Sequence, residues 1–264
     1  ITTHKQLRKY HFDALVIGSD IVWHYNNQLF RFDPAYFGKH INAPIKITYA
    51  ASAGHLDYIK VPPTPEIIEL MHSFSRVSVR DFHTQKLAEQ VLQRNIPIVP
   101  DPTLLISNYE IALSSSLKNY ILIYAYHKFT HDEINQIKSY AQEHQLKIVN
   151  VGYTQNWCDI NLASIGPAKW LGMFKDATCI ITGTFHGVLF SIIYNKQFII
   201  IGNENINPKL TYILQKLDLH NRYIYQMSDI NKYFENTIDY NEVNRNLVEL
   251  RINAIDYIKE ALQS

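Results

Sequence analysis

The sequence predicts an α/β protein with two parallel β-sheets that follow one another along the chain. Short apolar runs rich in β-branched residues recur over its 264 residues, and stretches with helical periodicity separate them. Near residues 101–117 this alternation stops and then restarts. We therefore expect one sheet on each side of this segment, with helices on both faces of the second sheet.

The first half of the chain contains four predicted strands and two predicted helices. Apolar runs typical of buried parallel strands cover residues 14–17, 46–50, 76–79 and 96–99. One helix is expected to begin after Thr64, whose hydroxyl can cap it, with Pro65 in its first turn. The second helix is expected over residues 82–92.

The second half repeats the alternation of strand and helix. Strands are predicted over residues 120–124, 147–151, 178–181 and 198–201. Helices are predicted after the capping box of Thr130 and Glu133, near residues 170–174, over about residues 187–194, and over residues 242–262. The last helix has a continuous apolar stripe that consists of Val243, Leu247, Leu250, Ala254, Ile258 and Ala261.

A domain boundary is predicted within the segment that separates the two halves. Asp101-Pro102-Thr103 is a turn signal, and Ser114-Ser115-Ser116 is small, polar and without periodicity. We assign residues 1–115 to an N-terminal lobe and residues 116–264 to a C-terminal lobe that ends in the helix over 242–262. Residue 1 is not Met, and no βα unit precedes the first strand, so we expect a truncated N-terminal lobe.

Composition and charge exclude several classes of function. The 25 basic and 24 acidic residues leave a formal charge of +1, which provides no bulk field for nucleic acid or an anionic membrane. Cys158 and Cys179 lack the spacing of metal ligands, and no apolar run reaches the ~20 residues that cross a bilayer. We therefore expect a cytoplasmic protein with no metal, no cofactor and no transmembrane segment.

A histidine motif follows the predicted strand at 178–181. In Thr182-Gly183-Thr184-Phe185-His186-Gly187 a buried strand ends and a helix begins, which is where open α/β sheets bind ligands. Backbone N–H groups at such a helix start attract phosphate or carboxylate, and His186 can transfer a proton near neutral pH. The alternative is a histidine that packs at a helix N-terminus and takes no part in chemistry.

An arginine motif occupies the equivalent position in the first half. Ser78-Val79-Arg80-Asp81 places Arg80 at the end of a strand, and its guanidinium suits a carboxylate or a phosphate. The alternative is an ion pair between Arg80 and Asp81, or one at the surface. Because a cleft between two lobes is a preferred ligand site, an arginine from one lobe and a histidine from the other favour the functional interpretation.

Two further segments contain candidate ligand contacts. Gly18-Ser19-Asp20 follows the first strand, so Asp20 can bind sugar hydroxyls and Trp23 can stack on a sugar ring. The alternative is a capped turn with Trp23 in the core. Lys209 follows a strand and a loop and can bind phosphate, although a solvated lysine is the commoner outcome.

In their order along the chain, these segments resemble the polysaccharide pyruvyl transferase family. The matching segments are YHFDALVIGSDIVW (10–23), ITYAASAG (47–54), SVRD (78–81), DPTLL (101–105), GPAKWL (166–171), TFHGVLFS (184–191), NPK (207–209) and LDLHNR (217–222). Each segment is short, and the shared order of the segments makes the resemblance specific.

The resemblance implies two Rossmann-like lobes like those of GT-B glycosyltransferases, and transfer of a pyruvyl group from phosphoenolpyruvate to sugar hydroxyls as a ketal. This reaction belongs to cell-surface polysaccharide biosynthesis. By motif position, the resemblance implies that His186, in the donor-side C-terminal lobe, is catalytic, and that Arg80 of the N-terminal lobe and Lys209 bind the donor. Thr184 and Gly187, on either side of the Phe185-His186 pair, are also expected to bind the donor. Asp20 and Trp23 are then expected on the acceptor side, in the N-terminal lobe.

The chain departs from the family pattern at two points. Some members have an arginine two residues before the histidine, where this chain has Thr184, and members usually have a βα unit before the GSD segment. A nucleotide-sugar glycosyltransferase and a non-catalytic carbohydrate-binding relative are the alternatives. The expected partners are phosphoenolpyruvate and a sugar or glycan acceptor, nucleotide-linked or lipid-linked, with peripheral contact at the inner face of the membrane.

Overall fold

The computed structural model describes residues 4–29, 31–202, 207–224, 227 and 229–263. The strands are β1 (Ala14–Gly18), β2 (Ile45–Tyr49), β3 (Tyr120–Tyr124), β4 (Lys147–Val151), β5 (Ile160–Leu162), β6 (Cys179–Thr182), β7 (Gln197–Ile201) and β8 (Tyr223–Ile224). The helices are α1 (Pro65–His72), α2 (Phe82–Leu92), α3 (His131–Glu143), α4 (Pro167–Asp176), α5 (Phe185–Ile193), α6 (Asn207–Lys216), α7 (Ile230–Glu235) and α8 (Tyr240–Leu262). Short 3-10 turns cover His4–Lys9, Pro34–Phe37, Pro102–Leu105 and His220–Arg222.

The chain divides into two compact units whose limits differ from the predicted boundary at residue 115. The first unit consists of Ile1–Leu105, Pro208–Ile213 and Asn246–Ser264, and the second of Ile106–Asn207 and Leu214–Arg245. Part of α6 and the end of α8 therefore belong to the first unit rather than to the C-terminal half. Apolar packing explains the position of α8, because Ala254 lies in one buried cluster with Tyr49 of β2.

Two strands form the regular part of the first unit's sheet. β1 and β2 pair in parallel over their full length. The segments at 76–79 and 96–99, predicted as strands, join this sheet only through isolated parallel bridges. Hydroxyl groups interrupt the ladder: the Ser78 N–H donates to Thr48 Oγ1 (3.0 Å), and the Thr48 hydroxyl donates to the Ser78 carbonyl (2.9 Å). The prediction of two regular strands is thus corrected to two extended parallel segments.

The core of the first unit is built around Trp23. Its ring packs against Phe37 and Phe74, with centroid distances of 5.9 and 6.2 Å. The amphipathic helices α1 and α2 cover this cluster with buried side chains that include Met71 and Leu87. The apolar faces of these helices thereby hold the extended segments of the sheet in place.

The second unit contains a six-stranded parallel sheet with the order β5-β4-β3-β6-β7-β8. Numbered within the unit, this is the 3-2-1-4-5-6 order of a doubly wound domain, and the order reverses between β3 and β6. Central residues such as Leu122 and Ile180 are completely buried, as expected for strands covered on both faces. The predicted second parallel sheet is therefore present, and β5 and β8 are edge strands that the sequence did not predict.

Side-chain caps begin the predicted helices. Thr64 Oγ1 accepts from the Ile67 N–H (3.3 Å) at the start of α1. At the start of α3, Thr130 Oγ1 accepts from the Glu133 N–H (3.2 Å), and Glu133 Oε2 accepts from the Thr130 N–H (2.7 Å), which completes the predicted capping box. The helix predicted over residues 242–262 is present as α8, and Ala254 and most of its apolar stripe are buried.

Within the described ranges, no helix combines the length and apolar character that a membrane crossing requires. Cys158 and Cys179 are free and buried. Burial raises the pKa of each thiol to about 12. Because the thiolate is the reactive form, both side chains act as small apolar groups at neutral pH.

Candidate functional site

Loops at the carboxyl edge of the first unit's sheet bring polar side chains together. Ser19 and Asp20 follow β1, Arg80 follows the segment at 76–79, and Asp101 comes soon after the segment at 96–99. Because these segments are parallel, their carboxyl ends share the edge where open α/β sheets bind ligands. The Ser19 hydroxyl donates to Asp101 Oδ2 (2.9 Å), so the loops meet.

Arg80 and Asp101 form a buried ion pair at this edge. Nη1 of Arg80 donates to Oδ2 of Asp101 over 2.7 Å, and each side chain is 3% exposed. The other Asp101 oxygen accepts from the N–H (3.1 Å) and the hydroxyl (2.8 Å) of Thr103. Burial alone would raise the pKa of Asp101, but the Arg80 charge and the Thr103 hydrogen bonds lower it below its usual value. Asp101 is therefore ionised at neutral pH and fixes the guanidinium.

Asp81, the alternative partner considered for Arg80, holds two loops together. Its Oδ2 accepts from the Ser52 hydroxyl (2.7 Å), and its Oδ1 accepts from the N–H (2.7 Å) and hydroxyl (2.8 Å) of Thr84. Asp81 is thus the N-cap of α2. The close ion pair of Arg80 is with Asp101, a residue that the sequence indicated only as part of a turn.

Asp20 lies on another side of the Arg80 guanidinium. Its Oδ1 is 3.5 Å from Arg80 Nη2, and its side chain is 72% exposed. The backbone has a φ of 68°, an uncommon value for a residue other than glycine, and the Asp20 carbonyl accepts from the Ser52 N–H (3.0 Å). Unlike Asp101, this carboxylate is open to solvent and can contact a ligand.

Lys209 reaches the same cluster from α6, far along the chain. The Tyr212 hydroxyl donates to the Ile98 carbonyl (3.3 Å) and anchors this part of α6 on the first unit. Burial, followed by the nearby charge of Arg80, lowers the pKa of Lys209. Two cations are therefore held near one another, an arrangement that suits a ligand with more than one negative charge.

Histidine side chains also lie in this cluster. The rings of His24 and His55 meet edge to face with a centroid distance of 5.0 Å. Burial and then His55 lower the pKa of His24, and Lys209 and His83 contribute in the same direction. His24 is thus neutral at neutral pH and can accept a proton beside the cations.

Trp23 does not have the position that its predicted role requires. Its side chain is 0% exposed, its ring lies nearly parallel to that of Phe37, and its Nε1 donates to the Tyr36 carbonyl (3.3 Å). No face of the indole is open to a sugar. The predicted stacking role is therefore corrected: Trp23 is a core residue whose one polar atom binds the backbone.

In the second unit, His186 lies at the start of α5, directly after β6. Thr184 is the N-cap of α5, and its Oγ1 accepts from the Gly187 N–H (3.0 Å). The Thr182 hydroxyl donates to the Tyr124 carbonyl at the end of β3 (2.7 Å). These bonds fix the turn at the β3–β6 reversal, the usual ligand position in a doubly wound sheet.

Gly187 allows α5 to approach this turn closely. A Cβ at Gly187 would lie 2.0 Å from Thr182 Oγ1 and 2.6 Å from Thr184 Oγ1, so no larger residue fits without movement. His186 itself is partly exposed, whereas Thr184 is buried. The contacts seen for Thr184 and Gly187 hold the histidine in place, and their predicted donor contacts stay predictions.

Each of the two clusters offers a different chemical capacity. The first unit offers Arg80 and Lys209 for an anionic ligand, and the second offers His186 for proton transfer. In the part of the chain that the structure describes, no group of three or more His, Cys, Asp or Glu side chains is placed to hold a metal ion.

A model of the polysaccharide pyruvyl transferase family matches residues 2–205 of the chain. The chain belongs to this family. The match includes Arg80, Asp101 and His186 and ends before Lys209. The protein is accordingly an enzyme of the polysaccharide pyruvyl transferase kind. A search of curated proteins found no match.

Solved structures are similar to this chain at low sequence identity. A UDP-GlcNAc 2-epimerase from Methanocaldococcus jannaschii aligns with a TM-score of 0.50 and 12% identity over 96% of this chain and 72% of that one. A glycotransferase of kitacinnamycin aligns with a TM-score of 0.43 and 11% identity over 95% of this chain and 71% of that one. E. coli heptosyltransferase WaaC with ADP aligns with a TM-score of 0.43 and 10% identity over 94% of this chain and 75% of that one. The epimerase alignment supports the predicted GT-B-like α/β fold.

The sequence indicated some of the residues that the structure brings together at these candidate sites, and it did not indicate others. The structure groups Arg80, Lys209 and Asp20 in the first unit, whereas His186 lies in the second. Asp101, the partner of Arg80, was not singled out from the sequence, although it follows a predicted strand just as Arg80 does. His24 lies in an irregular turn, where no periodic pattern marks a residue as close to the sheet edge.

Proposed function

We propose that this enzyme moves a pyruvyl group from phosphoenolpyruvate to two hydroxyls of one sugar, which forms a ketal and releases phosphate. The proposal is carried by one observation, the placing of Arg80 and Lys209 in one cluster at a sheet edge. Phosphoenolpyruvate has a carboxylate and a phosphate. A planar guanidinium matches a carboxylate or phosphate in a bidentate manner, and a lysine ammonium binds phosphate as a point charge.

His186 is the proposed proton donor. Its imidazolium protonates the methylene carbon of phosphoenolpyruvate, and C2 becomes electron-deficient and accepts the oxygen of the first sugar hydroxyl. The C2–O bond to phosphate then breaks, and the second hydroxyl oxygen bonds to C2. Of the two hydroxyl protons, one restores the charge of His186 and the other leaves with phosphate or solvent, so that atoms and charges balance. A positioned general acid contributes ~100- to 10,000-fold to such a step.

The fixed geometry of the first unit favours this chemistry. Asp101 holds the Arg80 guanidinium through a 2.7 Å bond, so the cation does not need to reorient when charge moves towards phosphate. Asp20, which is exposed beside Arg80, is the proposed contact for an acceptor hydroxyl. The proposed acceptor is a glycan, lipid-linked or nucleotide-linked, and the proposed location is cytoplasmic, which the free cysteines support.

The substitution His186→Gln tests the proposal. We expect turnover, measured as phosphate release from phosphoenolpyruvate with a panel of sugar acceptors, to fall by ~100-fold or more, because the proton donor is lost. Calorimetric affinity for phosphoenolpyruvate should stay within a few fold. His131→Gln, at an exposed position on α3, is the matched control and should retain turnover.

Two results would overturn the proposal. One is full turnover by His186→Gln. The other is a wild-type protein that consumes UDP-sugars and neither binds nor consumes phosphoenolpyruvate, which would indicate the nucleotide-sugar glycosyltransferase alternative. Mass spectrometry of the acceptor distinguishes the cases, because only the proposed reaction adds a pyruvyl ketal.

A further inference from the structure

Two tyrosines form an exposed pair at the carboxyl edge of the second unit's sheet. Tyr126 lies two residues after β3, and Tyr153 lies two residues after β4. Their ring centroids are 4.3 Å apart with planes inclined at 49°, and the residues are 64% and 38% exposed. Loops at this edge supply ligand contacts in doubly wound domains, so an aromatic pair here has a position suited to binding.

The tyrosine pair and His186 share one edge of the same sheet. β3 lies between β4 and β6, and Tyr124 at the end of β3 pairs with Thr182 at the end of β6. Tyr126 therefore belongs to the loop that neighbours the turn before His186. A molecule stacked on Tyr126 would therefore lie beside the turn before His186, which follows the neighbouring strand β6.

A contact between the two loops joins the segments to which the rings belong. Phe129 in the first loop meets Trp157 in the second, with a centroid distance of 5.1 Å. Gly152, with a φ of 85°, turns the chain after β4, and a Cβ there would lie 2.9 Å from the ring of Tyr124. Burial and then the hydrogen bond with Tyr126 raise the pKa of Tyr153, which is therefore a neutral phenol. A platform that is already ordered binds with a smaller loss of conformational entropy.

We propose that Tyr126 and Tyr153 form a stacking subsite for a pyranose ring of the glycan acceptor; this rests on the proposed function. A pyranose has an apolar C–H face and a rim of hydroxyls, and a tyrosine offers both an apolar ring face and a hydroxyl. Exposed Thr154 and Asn156 lie in the loop beside Tyr153 and can bind the rim. The pair supplies the aromatic contact that buried Trp23 does not.

Binding measurements without phosphoenolpyruvate test the subsite. The probes are the methyl pyranosides of glucose, galactose, mannose and N-acetylglucosamine, observed by saturation-transfer NMR with the full chain. We expect at least one probe to receive saturation at its ring C–H protons. Tyr126→Ala and Tyr153→Ala should weaken its binding by roughly 2- to 10-fold, the range for loss of an aromatic contact.

Matched variants separate stacking from folding effects. Tyr126→Phe keeps the ring and should retain most of the binding. Tyr36→Ala, at an exposed tyrosine of the first unit, should leave binding unchanged. Thermal unfolding of every variant, compared with wild type, identifies any loss of binding that follows from loss of the fold.

Three outcomes would overturn the subsite. The first is that no pyranoside binds the wild type, and the second is that folded alanine variants bind the pyranoside as well as the wild type does. The third is that, with UDP as the probe, the variants lose only the binding of uridine. The subsite and the proposed function can fail separately. Tyr126-dependent pyranoside binding without any pyruvyl transfer would retain the subsite and reject the reaction. Pyruvyl transfer with an unchanged acceptor KM in both alanine variants would retain the reaction and reject the subsite.

Discussion

Nη1 of Arg80 and Oδ2 of Asp101 are 2.7 Å apart and join the ends of two neighbouring extended segments of the first unit. This contact keeps a cation in a nearly dry position at the sheet edge where we propose that the donor binds. The carboxylate offsets the desolvation of the guanidinium, while Nη2 lies near the exposed carboxylate of Asp20. Asp101 is therefore a positioning residue for a group that we assign to the donor.

Asp101→Asn should destabilise the protein by about 3–5 kcal/mol, because it leaves the Arg80 charge buried without its anionic partner. Urea unfolding at neutral pH measures the change in the free energy of unfolding. Asp57→Asn is the control: this carboxylate is exposed and pairs with Lys60, so its removal should have no measurable effect. Equal stability of Asp101→Asn and wild type would contradict the assigned role of the ion pair.

The carboxyl group of Asp101 should also make the stability of the protein depend on pH. Its folded pKa lies below the unfolded value of about 3.9, so its stabilising contribution is fully present above that value and is lost as pH falls through the folded pKa. The difference in unfolding free energy between wild type and Asp101→Asn should therefore narrow on acidification below pH ~4. A difference in unfolding free energy that stays constant through this pH range would exclude Asp101 as the source of the pH dependence.

Lys209→Met should weaken phosphoenolpyruvate binding by roughly 10-fold or more, because a charge-assisted hydrogen bond contributes about 1.5–3 kcal/mol. Isothermal calorimetry at fixed ionic strength measures this affinity. Lys216→Met, at the exposed end of the same helix, is the matched control and should bind like wild type. The same modest loss in both variants would indicate only a general effect of charge.

Gly187→Ala should lower the free energy of unfolding by about 1–3 kcal/mol and reduce turnover, because the added Cβ meets Thr182 Oγ1 at 2.0 Å and displaces the start of α5. Gly166→Ala is the control, since no heavy atom lies within 4 Å of a Cβ at that position. Its stability should change by about 0.5 kcal/mol or less in either direction. Thermal unfolding and phosphate release measure the two effects.

Trp23→Phe should lower stability by about 1–3 kcal/mol while the KM for the acceptor stays the same, because Trp23 packs in the core and offers no face to a sugar. Tyr126→Ala should show the reverse pattern, with a raised acceptor KM and nearly unchanged stability. Steady-state kinetics and urea unfolding of the two variants test this contrast. A raised acceptor KM in a folded Trp23→Phe variant would restore the role that the sequence suggested.

Apolar patterning was sufficient to predict the second sheet, because strands such as β3 and β6 are covered on both faces and are therefore apolar throughout. The edge strand β8 has only two residues and gives no such pattern. In the first unit the same pattern correctly indicated buried extended segments, yet it could not show that Thr48 and Ser78 hydroxyls replace part of the backbone ladder.

The positions of the predicted strand ends indicated which loops form the candidate site, but they did not indicate which residues in those loops contact each other. Arg80 was expected at a sheet edge, but its partner Asp101 depends on which parallel segments are neighbours. An aromatic residue after a strand can point inward or outward, so the pattern alone did not exclude a surface role for Trp23. Lys209 belongs to the first unit because of a long-range bond between Tyr212 and Ile98, which no local pattern indicates.

The first unit contains residues that the ribosome adds late. The Arg251 guanidinium donates to the Leu104 carbonyl (2.6 Å), and the Tyr257 hydroxyl donates to the Thr48 carbonyl (2.9 Å). Residues 214–245 of the second unit are already available before the end of α8 has been made. Folding during translation should therefore complete the second unit first. Until the end of α8 has been made, the N-terminal segment exposes apolar surface, and we expect it to depend on chaperones more than the second unit does.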